Sequence, residues 1–165
     1  MVVIASCSSK PSKDNGHLSV EEQRKSLSNA MLDFNAARSV AEFHIIDSLS
    51  IAWRWNSKKI TGGIVYEKIL EEEESNESSL VEYGDTVIWN IKASLINGIE
   101  CYTIPSLKYV VGHSNQPQAF DELATKLRRG DSIRAIVPSL MAYGTIGVPS
   151  KVPPGALLVL QVRQN

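Results

Sequence analysis

The spacing of apolar residues divides the chain into a helical part followed by a strand-rich part. Ser19 and Glu22 have the spacing of a capping box, in which the serine accepts from a helical amide and the glutamate reaches back. Behind them, apolar residues recur at intervals of three, four and seven, which predicts an amphipathic helix. Its apolar face consists of Val20, Leu27, Met31 and Phe34.

A second apolar stripe predicts helix from about residue 36 to residue 55. Its members are Val40, Phe43, Ile46, Leu49 and Trp53. No strong breaker separates this stretch from the first, so a single bent helix is the alternative to two helices. If Trp53 and Trp55 are exposed, they favour a contact surface for a partner, whereas burial against a sheet makes them ordinary core residues.

Residues 61–63, Thr-Gly-Gly, mark the change to a strand-rich period. The runs that follow are rich in β-branched and aromatic residues, which predicts strands. They cover 64–70, 86–96, 99–104, 107–111, 133–137 and 156–162, with a break at Pro105. Asn97-Gly98 is a strong hairpin signal. Pro117 lies near the first turn of a short predicted helix, 117–127, where its missing amide N–H costs little.

These elements predict an α+β domain with an antiparallel sheet over residues 61–165, preceded by an α-helical extension over 19–58. Residues 1–18 are predicted to be a signal remnant and a disordered tether, because the polar tract behind Cys7 buries too little apolar area to order itself. Ile4-Ala5-Ser6-Cys7 resembles the lipobox of bacterial lipoproteins, in which the cysteine carries lipid. That resemblance implies a lipid anchor and a place in the bacterial cell envelope, either in the periplasm or on a membrane.

The N-terminal sequence departs from a lipoprotein signal in its length. A basic region and an apolar region of about 7–15 residues ordinarily precede the cleavage site, and the stretch before Cys7 is too short to hold both. The alternative interpretation is a frayed cytosolic N-terminus with an ordinary cysteine. Mass spectrometry of the protein extracted from cell envelopes distinguishes the two.

Composition and charge exclude several classes of function. The 165 residues are 43% hydrophobic, and 17 basic residues against 18 acidic ones give a net charge of −1. A protein that binds nucleic acid through phosphate contacts needs a clear positive excess, so we expect no nucleic-acid partner. The 2 cysteines are too few for a disulfide scaffold or a cysteine-built zinc site. No apolar run in the sequence approaches the roughly 18 residues of a membrane span.

The C-terminal part of the chain carries a distinctive order of motifs. They are Gly130-Asp131, Pro138, Ala142-Tyr143-Gly144, Gly147-Val148-Pro149, Val152-Pro153-Pro154 and a closing apolar strand that ends near Val162. In this order they resemble the FKBP-type peptidyl-prolyl isomerases, and Gly84-Asp85 and 118–122 fall at matching separations upstream. With its helical extension, the chain also resembles envelope isomerases of Bacteroidetes-like bacteria, including those named for gliding motility.

The resemblance implies an antiparallel half-barrel sheet wrapped around one short helix, with an apolar pocket between them. It implies an enzyme that speeds rotation about Xaa-Pro bonds in proline-containing polypeptides, without a nucleophile, a metal or a cofactor. The barrier of about 20 kcal/mol comes from amide resonance. A dry pocket disfavours the polar planar amide relative to the twisted transition state.

Five residues fall at pocket positions of the family, although Phe120, Leu160 and Leu107 stand where it usually has tryptophan, phenylalanine and an aromatic residue. Tyr143 corresponds to the tyrosine whose hydroxyl meets a carbonyl of the bound substrate, and Phe120 to the aromatic floor at the start of the helix. Both are therefore candidate catalytic residues. Val152, Leu160 and Leu107 correspond to apolar or aromatic walls of the substrate-binding pocket. For each of the five, plain core packing in a β-rich domain is the alternative.

Four other candidate substrate-binding positions depart from the family pattern. Ile91 stands in place of a pocket tyrosine, and Cys101-Tyr102 in place of Phe-Asp. Pro117 falls where a backbone N–H donates to the bound carbonyl, and proline has none. A slip of one residue in the loop 112–117 would restore a donor. Cys101 has no histidine at a spacing that suggests a metal site or a catalytic pair, which favours a small core residue.

Two hypotheses of other classes compete with the isomerase. In the first, the same pocket holds a partner protein without meaningful turnover, as a binding or chaperone module. In the second, the helical residues 19–55 form a homodimer whose helices make a chaperone-like cradle.

Overall fold

A computed structural model describes residues 19–70 and 79–165 of the chain. The lipobox ending at Cys7 and the tether behind it lie outside the described residues. Helix α1 is continuous from Val20 to Ala52, so the two predicted helical stretches are one helix. The predicted capping box forms at its start, where Ser19 N and Oγ each lie 2.8 Å from Glu22 Oε2. These bonds lower the pKa of Glu22.

The chain forms two compact units, Met1–Ala36 and Ala37–Asn165. In the first unit, the described residues 19–36 make the N-terminal half of α1, and its large apolar side chains are exposed. They are Val20, Leu27, Met31, Leu32 and Phe34. No helix in the described parts of the chain is long and apolar enough to span a membrane.

In the second unit, the C-terminal half of α1 packs on the sheet through the predicted apolar stripe. Ile46 is fully buried against Val65, Ile136 and Leu157. Phe43, Leu49 and Trp53 are partly buried, whereas Val40 is 55% exposed. The rings of Trp53 and Trp55 lie 5.3 Å apart at a tilt of 43° and pack against this cluster, so they belong to the core rather than to a free contact surface.

A six-stranded antiparallel sheet forms the rest of the second unit, in the order β1-β2-β5-β6-β3-β4. The strands are β1 Lys58–Lys59, β2 Val65–Leu70, β3 Thr86–Leu95, β4 Glu100–Val110, β5 Ser132–Val137 and β6 Leu158–Gln164. Helix α2, Gln118–Ala124, crosses one face, and short 3-10 turns occupy Thr61–Gly63 and Ser139–Met141. The predicted α+β class with an antiparallel sheet is confirmed.

The hairpin between β3 and β4 turns at Asn97-Gly98 as predicted, where Gly98 N donates to Leu95 O over 2.9 Å. The predicted strand break at Pro105 is wrong, because β4 runs through it. As an edge strand, β4 tolerates a residue that cannot donate to a neighbour. The irregularity appears instead as a bulge beside Asn90, whose Oδ1 accepts from Ser106 N over 3.1 Å.

Buried and exposed residues alternate along β3, and the buried face of the sheet packs against α2 to form the main core. Val87, Trp89, Ile91 and Ala93 point inward, and the residues between them are more exposed. From α2, Ala119, Phe120 and Leu123 fill the space between the helix and the sheet. The site residues predicted from the sequence lie in and around this core.

Candidate active site

A pair of tyrosine hydroxyls lies at the rim of the main core. Tyr143 follows the 3-10 turn Ser139–Met141, and Tyr102 lies on β4. Their hydroxyl oxygens are 2.8 Å apart, and the two rings meet edge to face at 6.2 Å. Both residues are partly exposed. Sequence reasoning placed both in the pocket but did not predict that they bind each other.

Both phenols are protonated at neutral pH, and burial raises the pKa of each. The pKa of Tyr102 is raised further by the hydrogen bond that it shares with Tyr143. Burial also raises the pKa of Tyr143, although its bond to Tyr102 acts in the opposite direction. A phenol carries one proton and can donate once. The pair has two protons and uses one for its mutual bond, so one hydroxyl remains able to donate to a carbonyl.

An aromatic cluster underlies the start of α2. Phe120 is 1% exposed and lies between Trp89, with ring centroids 5.5 Å apart, and Tyr109, at 6.4 Å. The Tyr109 hydroxyl donates to the backbone oxygen of Phe120 over 3.1 Å, which ties β4 to the first turn of α2. Trp89 and Tyr109 were not recognised from the sequence, although the alternation along β3 and β4 could have placed both on the inner face.

The entrance to α2 lacks the backbone donor that the family pattern has there. Pro117 is the buried N-cap residue of α2, and its carbonyl accepts from Phe120 N over 2.9 Å. The preceding amide, Gln116 N, donates to Ser114 Oγ over 3.2 Å. If the match to the family is shifted by one residue, the amide at this position is that of Gln116, which already has a hydrogen-bond partner.

The other predicted pocket residues divide by exposure. Ile91, Val152 and Leu160 are buried in the main core, whereas Leu107 and Cys101 pack at its rim and stay partly exposed. Burial raises the pKa of the Cys101 thiol, which therefore stays protonated at neutral pH. The accessible part of the candidate site thus consists of the tyrosine pair and these two rim residues.

The loop 144–155, which follows Tyr143 in the chain, carries an apolar pocket. A cavity of about 340 Å³ is lined along this loop by residues that include Ile146, Val148 and Val152. Ile146 is 82% exposed, so the pocket opens to solvent. Val152 lines this pocket and also belongs to the main core.

An open antiparallel sheet packed on one short helix, with an apolar site and a neutral hydroxyl at its rim, defines an FKBP-like α+β domain. The family model for FKBP-type peptidyl-prolyl cis-trans isomerases matches residues 77–163, and the chain belongs to this family. It is therefore an enzyme of the peptidyl-prolyl isomerase class.

Two solved structures of bacterial proteins share the fold. FkpA from Escherichia coli is similar with a TM-score of 0.59 and 22% identity, over 90% of this chain and 72% of that one. A peptidyl-prolyl cis-trans isomerase from Pseudomonas syringae pv. tomato has a TM-score of 0.65 and 15% identity, over 78% of this chain and 92% of that one. A search of curated protein sequences finds no match.

Proposed function

We propose that the chain isomerises Xaa-Pro bonds in polypeptides outside the bacterial cytoplasm, with Tyr143 as the group that orients the substrate. The observation that carries this proposal is the tyrosine pair, which sets one free phenolic proton at the edge of an apolar core. A neutral donor beside apolar walls is what amide rotation requires, because no bond to a heavy atom is made or broken.

The apolar walls supply the rate acceleration. Twisting the amide removes its resonance and with it part of the carbonyl polarity, so a dry surround stabilises the twisted form relative to the planar one. Val152 and Leu107 contribute to these walls, and Leu160, Ile91 and Phe120, which are buried in the main core, support them from behind. Each ~1.4 kcal/mol of differential stabilisation gives a factor of ten in rate.

The polar positions take a different role. The twisted amide has a less polar carbonyl, so a hydrogen bond to that oxygen is not stronger in the transition state than in the ground state. Tyr143 therefore contributes through binding and orientation, and its loss should raise KM more than it lowers kcat. Tyr102 holds the Tyr143 hydroxyl in place, and Cys101 lies beside the tyrosine pair at the rim of the core. Pro117 caps the N-terminus of α2 and donates no hydrogen bond to the substrate.

A protease-coupled isomerisation assay with the full chain and a panel of Xaa-Pro peptides tests this function. We expect the wild type to accelerate isomerisation and Tyr143→Phe to raise KM. A folded wild type that accelerates none of the peptides would contradict the proposal.

A second candidate function rests on Phe120 and Pro117. Phe120 is almost inaccessible, and Pro117 has no N–H. The pocket therefore exposes less aromatic surface to a substrate, and has fewer hydrogen-bond donors, than the family pattern implies. A catalytically weak or inactive chaperone-like module that binds proline-containing segments fits these two facts. Saturable chemical-shift changes at Tyr143 with an Xaa-Pro peptide, without line broadening from faster cis–trans exchange, would favour this candidate.

The membrane attachment and location are also proposals. The lipobox-like motif ending at Cys7 supports a lipid anchor, and the fold shared with two bacterial proteins supports a bacterial setting. The finer likeness to Bacteroidetes-like envelope isomerases rests on the helical extension and the lipobox-like motif. Detergent phase partition of the wild type and of Cys7→Ser, with mass spectrometry of the N-terminal peptide, tests lipidation. Wild-type protein that stays in the aqueous phase without a lipid mass would contradict it.

A homodimer through α1 is proposed from the exposed apolar side chains of its N-terminal half. Val20, Leu27, Met31 and Phe34 fall within one face of a helix at 100° per residue. Leu27→Glu should convert a dimer to a monomer in light scattering, whereas Asn29→Glu on the opposite face should leave the mass unchanged. A wild type with monomer mass at all concentrations would remove this proposal.

A further inference from the structure

A closed set of hydrogen bonds joins α1 to both ends of the loop that carries Tyr143. Glu42, which is 6% exposed, accepts from Ser139 Oγ over 2.6 Å and from Ser139 N over 2.8 Å. Arg38 donates from Nε to Glu42 over 2.8 Å and from Nη2 to Gly155 O over 2.7 Å. We call the set of Arg38, Glu42, Ser139, Gly144 and Gly155 the loop clamp.

The loop itself closes the clamp on the other side. Gly144 N donates to Ser139 O over 2.7 Å, and Gly155 N donates to Gly144 O over 2.9 Å. Tyr143 directly precedes Gly144, so its backbone is held between the two anchored ends. A bond lost at either anchor therefore releases the segment that aims the Tyr143 hydroxyl.

The position of Gly155 shows how closely the arginine approaches the loop. Its φ is +64°, in the left-handed region that favours glycine, and a Cβ at this position would collide with the Arg38 guanidinium. A planar guanidinium can bond a carboxylate and a carbonyl at once, which an ammonium cannot do in the same geometry. The glycine and the arginine thus form one fitted contact.

We propose that Arg38 and Glu42 are positioning residues for the isomerase reaction, which they serve by holding Tyr143 against Tyr102. On this view the C-terminal half of α1 is a working part of the active site. The inference rests on the function proposed above, because it assigns a role through Tyr143.

A double-mutant cycle in the full chain tests the inference. We expect Glu42→Gln to lower kcat/KM by up to about fivefold, the loss expected when the Tyr143 hydroxyl is removed, and mainly through KM, because a misplaced orienting group weakens substrate binding. On a Tyr143→Phe background the same change should have almost no effect, since the group that it positions is already absent.

Asp131→Asn is the matched control. Asp131 is also a buried carboxylate that accepts from a lysine, Lys68 Nζ at 3.1 Å, and from a backbone amide, Arg128 N at 2.9 Å. It lies outside the loop clamp, so we expect its loss to lower stability and to leave kcat/KM of the folded fraction within about twofold.

Amide hydrogen exchange gives a readout that does not depend on activity. In Glu42→Gln the amides of Gly144 and Gly155 should exchange at least about tenfold faster. In Asp131→Asn the exchange of these two amides should change no more than the loss of global stability accounts for. If Glu42→Gln does not fold, Ser139→Ala can be used instead, because it removes a single bond of the loop clamp. It should make the amides of Gly144 and Gly155 exchange about threefold faster.

Two results would overturn the inference. One is an equal loss of kcat/KM from Glu42→Gln with and without the Tyr143 hydroxyl, and the other is unchanged exchange at Gly144 and Gly155. A folded wild type without isomerase activity would refute the proposed function instead, and the exchange rates would still decide whether α1 holds the loop.

Discussion

Removing the hydroxyl of Tyr102 separates the contribution of the tyrosine pair to stability from its contribution to activity. Its bond to Tyr143, at 2.8 Å, is one neutral hydrogen bond between two partly exposed groups. Such a bond contributes about 0.5–1.5 kcal/mol net to stability. We expect Tyr102→Phe and Tyr143→Phe each to lower the free energy of unfolding by this amount. The double variant should lose little more than either single one, because the same bond is removed in all three.

The effect on activity should be unequal. Tyr143→Phe removes the donor to the substrate and with it a bond of about 1 kcal/mol, which predicts a roughly fivefold loss in kcat/KM. Tyr102→Phe leaves that donor in place and removes only its polarising partner. Cooperative strengthening at the lower end of the usual range, about 10% of a bond worth about 5 kcal/mol in an apolar site, gives about 0.5 kcal/mol, so a loss of about twofold is expected.

Urea unfolding followed by tryptophan fluorescence measures the first effect, and the protease-coupled assay measures the second. Stability losses that add in the double variant would show that the two hydroxyls do not share a bond in solution. A loss of activity in Tyr102→Phe as large as that in Tyr143→Phe would make Tyr102 a donor to the substrate and contradict the assignment of that role to Tyr143.

Three further outcomes are expected. Burial raises the pKa of Tyr102 and Tyr109 above the usual value of about 10, so the fold favours their protonated forms. Stability present below pH ~10 should therefore be lost as pH rises beyond it, because unfolding then releases protons, and Tyr109→Phe should reduce this loss in urea titrations. Phe120→Ala should cost about 3–5 kcal/mol in urea unfolding, since the ring is fully packed, and a cost below about 1 kcal/mol would mean that it is not. Gly155→Ala should lower kcat/KM and speed exchange at nearby amides, because the added Cβ displaces Arg38; unchanged exchange would argue against that contact.

The local pattern predicted much of the fold. The capping box at Ser19, the hairpin at Asn97-Gly98 and the alternation along β3 follow from neighbouring residues, and the structure has all three. Pro105 was misjudged because its effect depends on tertiary context. Proline breaks a strand only where its missing N–H has a neighbouring strand to bond, and β4 lies at the edge of the sheet.

The motifs also indicated most of the candidate site, but not its hydrogen bonds. Tyr102 and Tyr143 are 41 residues apart, and their hydroxyls meet only because the hairpin and the loop before β6 converge on one rim. The anchors of the loop clamp lie farther apart in sequence, 97 residues for Glu42 and Ser139, and 117 for Arg38 and Gly155. No periodicity or spacing rule reaches across such distances. Arg38 and Glu42 were not singled out from the sequence, because their spacing of i and i+4 is that of any ordinary helical ion pair.

The replacements in the pocket are easier to understand together than one by one. The family resemblance sets a tyrosine at position 91 and a carboxylate at position 102, whereas this chain has Ile91 and Tyr102. Ile91 fills the core without a polar atom, and the phenol at 102 brings a hydroxyl to Tyr143 in place of a carboxylate. A neutral pair needs less desolvation than a buried charge. The exchange therefore keeps a hydrogen-bond partner beside Tyr143 and makes its surroundings less polar, which agrees with the proposed stabilisation of a twisted amide. In this chain the ionic contact lies behind the loop, between Arg38 and Glu42, where it fixes the backbone without entering the pocket.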